Sequence, residues 1–307
     1  MSVVGNVSES GDRTDPGRDQ AARRCCFIVL ANEKGGSGKS TLAMHLTVAL
    51  LRMNQSVASI DLDDRQSTFT RYVDNRRRYA DSEGIALKLP EHHRVLPAGS
   101  DAAAASEADD RRAFEALADE LAGRVDNVVI DTPGAAGVLS RAALARADVL
   151  VTPLNDSFLD LDVLFRIDLH DLSKISISAF AEAVLAERQA RRGRAAPDFA
   201  WYVTRNRLTS IGSRNKQDMH EVLSLLARRF HFRLVPGFSE RVIYRELFLK
   251  GLTVLDLRES AADVAKNASH VHARQEVREL IDAIGLMATA PAARPATGIG
   301  VGANEGV

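Results

Sequence analysis

One glycine-rich segment constrains the fold of this 307-residue chain more than any other. The segment runs from Lys34 to Thr41 and reads KGGSGKST. It follows an apolar strand pattern at Cys26 to Ala31 and opens a helical pattern that begins near Ser40. Glycines allow a tight loop whose backbone N–H groups point inward, and the N-terminus of the next helix adds partial positive charge. This order of strand, loop and helix predicts a phosphate-binding loop more strongly than a plain glycine turn.

The residue types in this segment are those that bind a nucleoside triphosphate. The ending Gly38-Lys39-Ser40 is that of a Walker A motif, in which the lysine reaches the terminal phosphates and the hydroxyl ligates Mg²⁺. The start departs from the usual motif, because Glu33 stands where the first glycine is expected and Lys34 follows it. The predicted phosphate-binding residues are Gly35, Gly36, Ser37, Gly38, Lys39, Ser40 and Thr41.

Along the rest of the chain, apolar runs alternate with longer helical patterns. The runs are continuous rather than alternating with polar residues, which is typical of parallel strands buried on both faces. We therefore predict an α/β fold with a doubly wound, mostly parallel sheet and helices on both faces. Further strands are predicted at Val57 to Ile60, Val128 to Ile130, Val149 to Val151, Phe199 to Thr204 and Phe232 to Val235.

Aspartates stand at the ends of two predicted strands, at the edge where ligands bind in such sheets. Asp131 ends a Walker B pattern and precedes Thr132-Pro133-Gly134, so we expect it to contact Mg²⁺ through the outer shell. Asp63 is expected to position Mg²⁺ and the attacking water, because phosphoryl transfer needs a metal and an oriented water. With Ser40, these two residues form the predicted metal set. Asp61 either joins this site or is only a helix cap or turn residue.

Composition divides the chain into three parts. Residues 1–24 are polar and lack apolar periodicity, and residues 288–307 repeat Ala, Pro and Gly, so both are predicted to be disordered. Residues 25–287 are predicted to form one P-loop ATPase domain.

The segment Asp171 to Asp198 reads as a helical insertion, either a partner-binding element or a lid helix packed on the sheet. Two adjacent cysteines and no long apolar run favour a cytoplasmic protein without a disulfide framework or membrane span.

With its extra Lys34, the loop resembles the deviant Walker A motif of the MinD/ParA family of dimerising ATPases. Four stretches resemble the MipZ branch of that family. They read NEKGG at 32–36, PLNDSFLD at 153–160, RNR at 205–207 and RVIYRELF at 241–248. The resemblance extends from about Cys26 to Leu286.

This resemblance implies an ATP-sandwich homodimer with ATP and Mg²⁺ as cofactors. Lys34 would reach across to the partner's phosphates, where a cation supplied in trans accelerates hydrolysis by about 10³ to 10⁵ in other systems. Lys34, Lys39 and Asp63 are therefore the candidate catalytic residues. The resemblance also implies that Asn206 and Pro236 line the adenine pocket.

The resemblance to the MipZ branch further implies a switch that positions the division site. ParB would recruit the protein, and its ATP dimer would inhibit assembly of FtsZ. A ParA-type chromosome or plasmid segregation ATPase is the alternative, and a DNA-binding scaffold with a structural nucleotide is a third reading. Membrane binding is not expected, because the last helical pattern, Val271 to Ile284, carries charges of both signs rather than a basic polar face.

The net charge of −1 hides an uneven distribution. The window from Arg205 to Glu246 holds nine basic and four acidic residues, a net charge of +5, which leaves −6 elsewhere. Lys and Arg that contact phosphates give sequence-independent DNA binding, so this window predicts a non-specific DNA surface and association with the nucleoid. A charge-rich surface helix explains any single arginine equally well. The candidates are Arg214, Lys216, Arg228, Arg229, Arg233 and Arg241.

Overall fold

The computed structural model describes six stretches of the chain, residues 24–95, 103–134, 137–168, 171–208, 214–257 and 268–286. Apart from Arg24, the two segments predicted to be disordered, 1–24 and 288–307, lie outside these residues. Their disorder and the predicted domain boundaries therefore stay predictions.

Seven parallel strands form the central sheet in the described part of the chain. They are β1 Cys26–Leu30, β2 Val57–Asp61, β3 Glu91–Arg94, β4 Asn127–Asp131, β5 Val149–Asn155, β8 Ala200–Asn206 and β9 Arg233–Val235. Their order is β3-β2-β4-β1-β5-β8-β9. Two further strands, β6 Phe165–Asp168 and β7 Asp171–Ile177, form an antiparallel pair outside this sheet.

Helices cover both faces of the sheet. Alternate residues of β1 divide between two cores, because Phe27 and Val29 pack on one face and Ile28 and Leu30 on the other. The predicted doubly wound α/β fold is confirmed. The helices are α1 Lys39–Arg52, α2 Thr68–Glu83, α3 Ala103–Ala122, α4 Val138–Arg146, α5 Phe158–Leu161, α6 Ala179–Gly193, α7 Arg214–Phe230, α8 Ile243–Leu249 and α9 Ala268–Ile284.

All six predicted strands are present, with small differences at their ends. The largest difference is in β5, which continues through Pro153 to Asn155. Proline is tolerated there because β1 pairs with β5 only as far as Val151, so no sheet partner needs its missing N–H. The sequence analysis missed β3, an edge strand whose residues EHHR are polar and half-buried and carry no apolar signal.

The segment Asp171 to Asp198 is only partly helical, and the prediction of a helix across it is wrong. Its first seven residues form β7, and α6 begins at Ala179. Phe180 and Val184 of α6 are buried in the core, which favours a helix packed on the sheet over an exposed partner-binding element. Arg191, in the basic end of α6, is structural as well, because it is buried and donates to the carbonyl oxygen of Ala145 at 2.8 Å.

The last helix, α9, packs into the core. Val277, Leu280, Ile281 and Ile284 are buried, whereas Val271 at its beginning is 38% exposed. Among the residues that the structure describes, no helix is long and apolar enough to cross a membrane.

Candidate functional site

The glycine-rich loop joins β1 to α1 and is held from outside by side-chain hydrogen bonds. Asn32, which is buried, donates its amide to the carbonyl oxygen of Pro153 on β5 at 2.6 Å and accepts the N–H of Lys34 at 2.7 Å. The ammonium group of Lys39 donates to the carbonyl oxygen of Lys34 at 3.2 Å. Because these bonds fix the beginning of the loop, its remaining backbone N–H groups can face a ligand. Asn32 had not been assigned a role of its own from the sequence.

Asn206, at the end of β8, packs directly on the loop. Its amide nitrogen donates to the carbonyl oxygen of Ser37 at 2.8 Å. Gly38 has a φ of 94°, and a Cβ atom at this position would lie 2.3 Å from the Asn206 amide nitrogen. The backbone conformation therefore requires glycine at Gly38, and a side chain there would also displace the Asn206 amide from its hydrogen bond. The structure brings Asn206 to the loop, as the predicted nucleotide role requires.

A cavity of about 240 Å³ opens beside the loop. Gly38, Thr41 and Asn206 line one side, and the rings of Phe238 and Tyr244 supply apolar surface. The size and mixed polarity of this cavity suit a nucleoside next to the phosphate loop.

Pro236 is not among the described residues that line this cavity. It lines a separate cavity with Leu208, His220 and Leu234, and its carbonyl oxygen accepts the hydroxyl of Thr204 at 2.7 Å. Of the two residues predicted for the adenine pocket, the structure therefore brings only Asn206 to the loop. The aromatic residues two and eight positions after Pro236 are the ones at the cavity, and the sequence analysis missed both.

Asp131 is a buried carboxylate with an unfilled hydrogen-bonding capacity. It is 1% exposed, and its Oδ1 atom has no hydrogen-bond partner. Burial, followed by the charge of Asp61 opposite it on β2, raises the pKa of Asp131 to about 8, although a Ser40 hydrogen bond and the Lys39 charge act in the other direction. An ion with its hydration shell at this point would supply the missing partner, so Asp131 and Ser40 fit Mg²⁺.

Among the described residues, no three His, Cys, Asp or Glu side chains gather into a metal site by themselves. Mg²⁺ does not require such a cluster, since it usually takes several ligands from water and substrate phosphates and only one or two from carboxylates.

Asp61 fixes the backbone around Asp63. One carboxylate oxygen of Asp61 accepts both the N–H and the hydroxyl of Thr70 near the start of α2, each at 2.8 Å, and the other accepts the N–H of Asp63 at 3.0 Å. The sequence left two roles open for Asp61, a part in the metal site or a capping and turn-forming role. These bonds favour the capping and turn-forming role. Asp63 is half-buried. Burial lowers the pKa of Lys39, although the charges of Asp131 and Asp63 act in the other direction.

A partly buried polar chain continues from Asp61 to the edge strand β3. His92 contacts the hydroxyl of Thr70 through Nε2 at 3.0 Å and that of Ser59 through Nδ1 at 2.8 Å. Burial lowers the pKa of His92 to about 4, so the imidazole is neutral at pH 7 and can donate through one nitrogen and accept through the other. This chain anchors the start of α2, and the polar sequence of β3 gave no signal for it.

The segment after β5 carries two ion pairs. Asp160 pairs with the ammonium group of Lys34, and Asp156 accepts from Arg205 Nε at 2.9 Å. The exposed fraction of the side chain is 43% for Lys34 and 6% for Asp160. Asp160 lies within the PLNDSFLD stretch, and the sequence alone predicts no role for it.

The residues predicted to contact DNA do not share one environment. Arg228, Arg229 and Arg233 are exposed, around the end of α7 and on β9. Arg241 lines the cavity beside the loop and pairs with Glu276 of α9 at 2.8 Å, so its charge is already partnered within the protein. The side chains of Arg214 and Lys216, in the first turn of α7, lie outside what the structure describes.

Comparison with known proteins gives a family match over most of the chain. A family model described as "ATPase MipZ" matches residues 26–288. The chromosome-partitioning ATPase Soj of Thermus thermophilus is 31% identical over 145 residues, which cover 44% of this chain and 57% of Soj. The match therefore spans little more than half the length of this relative.

Solved structures agree in fold. An ATP complex of a variant of McdA from Cyanothece is 18% identical with a TM-score of 0.58, and the match covers 86% of this chain and 98% of that one. MinD of Pyrococcus horikoshii, solved with Mg-ADP, is 17% identical with a TM-score of 0.52, again over 86% and 98% of the two chains. At these identities the structures support the fold alone.

Asn206→Ala should weaken nucleotide binding about fivefold, because it removes one hydrogen bond that holds the loop, worth about 1 kcal/mol. Titration with a fluorescent ATP analogue measures the affinity. Asn75→Ala is a matched control, since Asn75 also donates its amide to a backbone carbonyl, that of Phe248 at 2.9 Å, away from the loop. Equal affinities for the Asn206→Ala variant and the unmodified protein would contradict the role of Asn206.

Proposed function

Because the chain belongs to the MipZ family of ATPases, we propose that it binds Mg·ATP at the loop Lys34 to Thr41 and hydrolyses it to ADP and phosphate. The observation that carries this proposal is the edge of the sheet where the loop, the buried Lys39 and the unpartnered oxygen of Asp131 meet. Lys39 contributes positive charge to the phosphates, and the cavity beside Asn206 receives the nucleoside.

Ser40 and Asp131 would hold Mg²⁺, with Asp63 beside them. When bound, Mg²⁺ neutralises charge on the phosphates. The Asp63 carboxylate orients the attacking water, and Asp61 keeps the backbone of Asp63 in place through its hydrogen bond to the Asp63 N–H. No side chain in this set needs to form a covalent bond, because phosphoryl transfer depends mainly on position and charge.

We further propose that the active form is a homodimer in which the two nucleotides face each other. Lys34 then supplies positive charge to the partner's phosphates. Its half-exposed side chain at the rim of the loop supports this role, because a fully buried lysine could not leave its own protomer. Hydrolysis and dimerisation are therefore one coupled event, and the protein acts as a switch.

The cellular role that we propose is positioning of the division site. The ATP dimer binds DNA without sequence preference and inhibits FtsZ assembly, and ParB recruits the protein in the cytoplasm near the chromosome. Membership of the MipZ family supports this role. The similarity to the chromosome-partitioning ATPase Soj supports a second candidate, a ParA-type segregation ATPase.

The exposed arginines Arg228, Arg229 and Arg233 support the proposed DNA surface. Around the end of α7 and on β9 they present positive charge that phosphates can reach. Two protomers side by side double the number of such contacts, so the dimer would bind DNA more tightly than the monomer. This explains how a chain of nearly zero net charge can bind DNA only in its ATP state.

Lys34→Ala and Asp63→Ala should each lower ATP hydrolysis, and the loss for Lys34→Ala should be on the order of 10³-fold if the lysine acts in trans. A phosphate-release assay over a range of protein concentrations measures the rate per protomer. Lys250→Ala is the control, because Lys250 is exposed and lies over the ring of Tyr79. An unchanged rate in either variant would contradict the switch mechanism, whereas no hydrolysis by the unmodified protein would favour the scaffold with a structural nucleotide.

Arg228→Ala and Arg233→Ala should weaken DNA binding and flatten its salt dependence. Each phosphate contact that is lost lowers the slope of log affinity against log salt by about 0.9. Interferometry with ATP, in proteins that also carry Asp63→Ala, measures the DNA affinity over a range of salt concentrations. Arg112→Ala on α3 is the control, since Arg112 pairs with Asp109. DNA affinity that does not change with salt concentration, or that is the same with ADP as with ATP, would contradict the proposed DNA surface.

Depletion in cells separates the two cellular candidates. If the protein positions the division site, depleted cells should misplace their septa while chromosomes segregate normally, because FtsZ inhibition is lost. Fluorescence microscopy of septa and chromosomes measures both. Chromosome or plasmid loss with normal septa would instead favour the segregation ATPase.

A further inference from the structure

Lys34 is held by an acidic residue of its own protomer. Its ammonium group pairs with Asp160, whose side chain is only 6% exposed. Because water hardly reaches this carboxylate, its negative charge depends on Lys34 for compensation. The lysine side chain itself is 43% exposed, so it can leave the pair without unfolding anything around it.

The main chain on both sides of this pair is tied to β5. Asn32 links the N–H of Lys34 to the carbonyl oxygen of Pro153. The N–H of Asp160 donates to the carbonyl oxygen of Ser157 at 2.9 Å, and the N–H of Ser157 donates to that of Asn155 at the end of β5 at 2.8 Å. The backbone therefore places the two residues opposite each other, and the ion pair is not the only interaction that holds them there.

We propose that Asp160 is a positioning residue that retains Lys34 in its own protomer until the partner's nucleotide competes for the lysine. This inference rests on the proposed function, in which Lys34 acts in trans. When the ammonium group crosses to the partner, Asp160 loses its charge partner inside the protein, and that loss opposes dimerisation. The negative charge of the bound triphosphate must outweigh it, so the pair sets the protein concentration at which ATP drives dimer formation.

A second ion pair in the same segment provides a matched comparison. Asp156 lies four residues before Asp160 and pairs with Arg205 of β8, and both side chains are largely buried. This pair holds the segment to the sheet but does not involve Lys34. Removing the charge of Asp156 therefore tests whether any loosening of the segment changes dimerisation.

The test is the protein concentration at the midpoint of dimerisation, measured by sedimentation velocity with a non-hydrolysable ATP analogue. Asp160→Asn keeps the size of the side chain and removes its charge, so the midpoint should fall about fivefold or more, as expected for one lost charge-assisted hydrogen bond. Asp160→Glu keeps the charge and should remain near the unmodified protein. Asp156→Asn should leave the midpoint unchanged or raise it. If Asp160→Asn does not fold, Asp160→Ser replaces it.

The outcomes separate this inference from the proposed function. If the unmodified protein dimerises and Asp160→Asn leaves the midpoint unchanged or raises it, the positioning role is overturned and the dimer stands. If Asp156→Asn lowers the midpoint as much as Asp160→Asn, the effect belongs to the whole segment and the role is also overturned. If neither the unmodified protein nor Asp160→Asn dimerises, both proposals fail.

Discussion

The nucleotide edge of this protein depends on how the loop between β1 and α1 is held. A phosphate-binding loop must leave its N–H groups free for a ligand, so it has to be fixed by bonds on its other sides. Asn32 ties its start to β5, and Asn206 ties its middle to β8. Gly134, after β4, also lies close, since a Cβ there would be 3.2 Å from the N atom of Gly35. Three strands that are remote in sequence thus shape one loop.

The same edge brings two buried acidic side chains together. Asp61 and Asp131 are opposite each other on neighbouring strands, both buried, and burial raises the pKa of each. The carboxylate oxygens of Asp61 accept hydrogen bonds from backbone N–H groups and a hydroxyl, whereas one oxygen of Asp131 has no hydrogen-bond partner. The difference separates two aspartates at matching strand ends, because only Asp131 keeps an oxygen available for the proposed Mg²⁺.

Much of this arrangement could be predicted from the sequence, because it is encoded locally. The loop, the strand before it and Asp131 at the end of β4 follow from short motifs and apolar runs. The roles of Asn32, Asp160 and His92 could not be predicted, since each depends on a partner far along the chain. Edge strand β3 was missed for a related reason, because a half-buried strand of polar residues has no apolar pattern. The ion pair between Arg241 and Glu276 of α9 likewise could not be predicted from the sequence.

The account depends most on where the Lys34 ammonium group lies once ATP is bound. A crystal structure of the Asp63→Ala variant with ATP would locate it directly. The account predicts a dimer in which Lys34 Nζ contacts the partner's phosphates and no longer pairs with Asp160 of its own chain. A nucleotide-bound dimer in which Lys34 still pairs with its own Asp160 would contradict it.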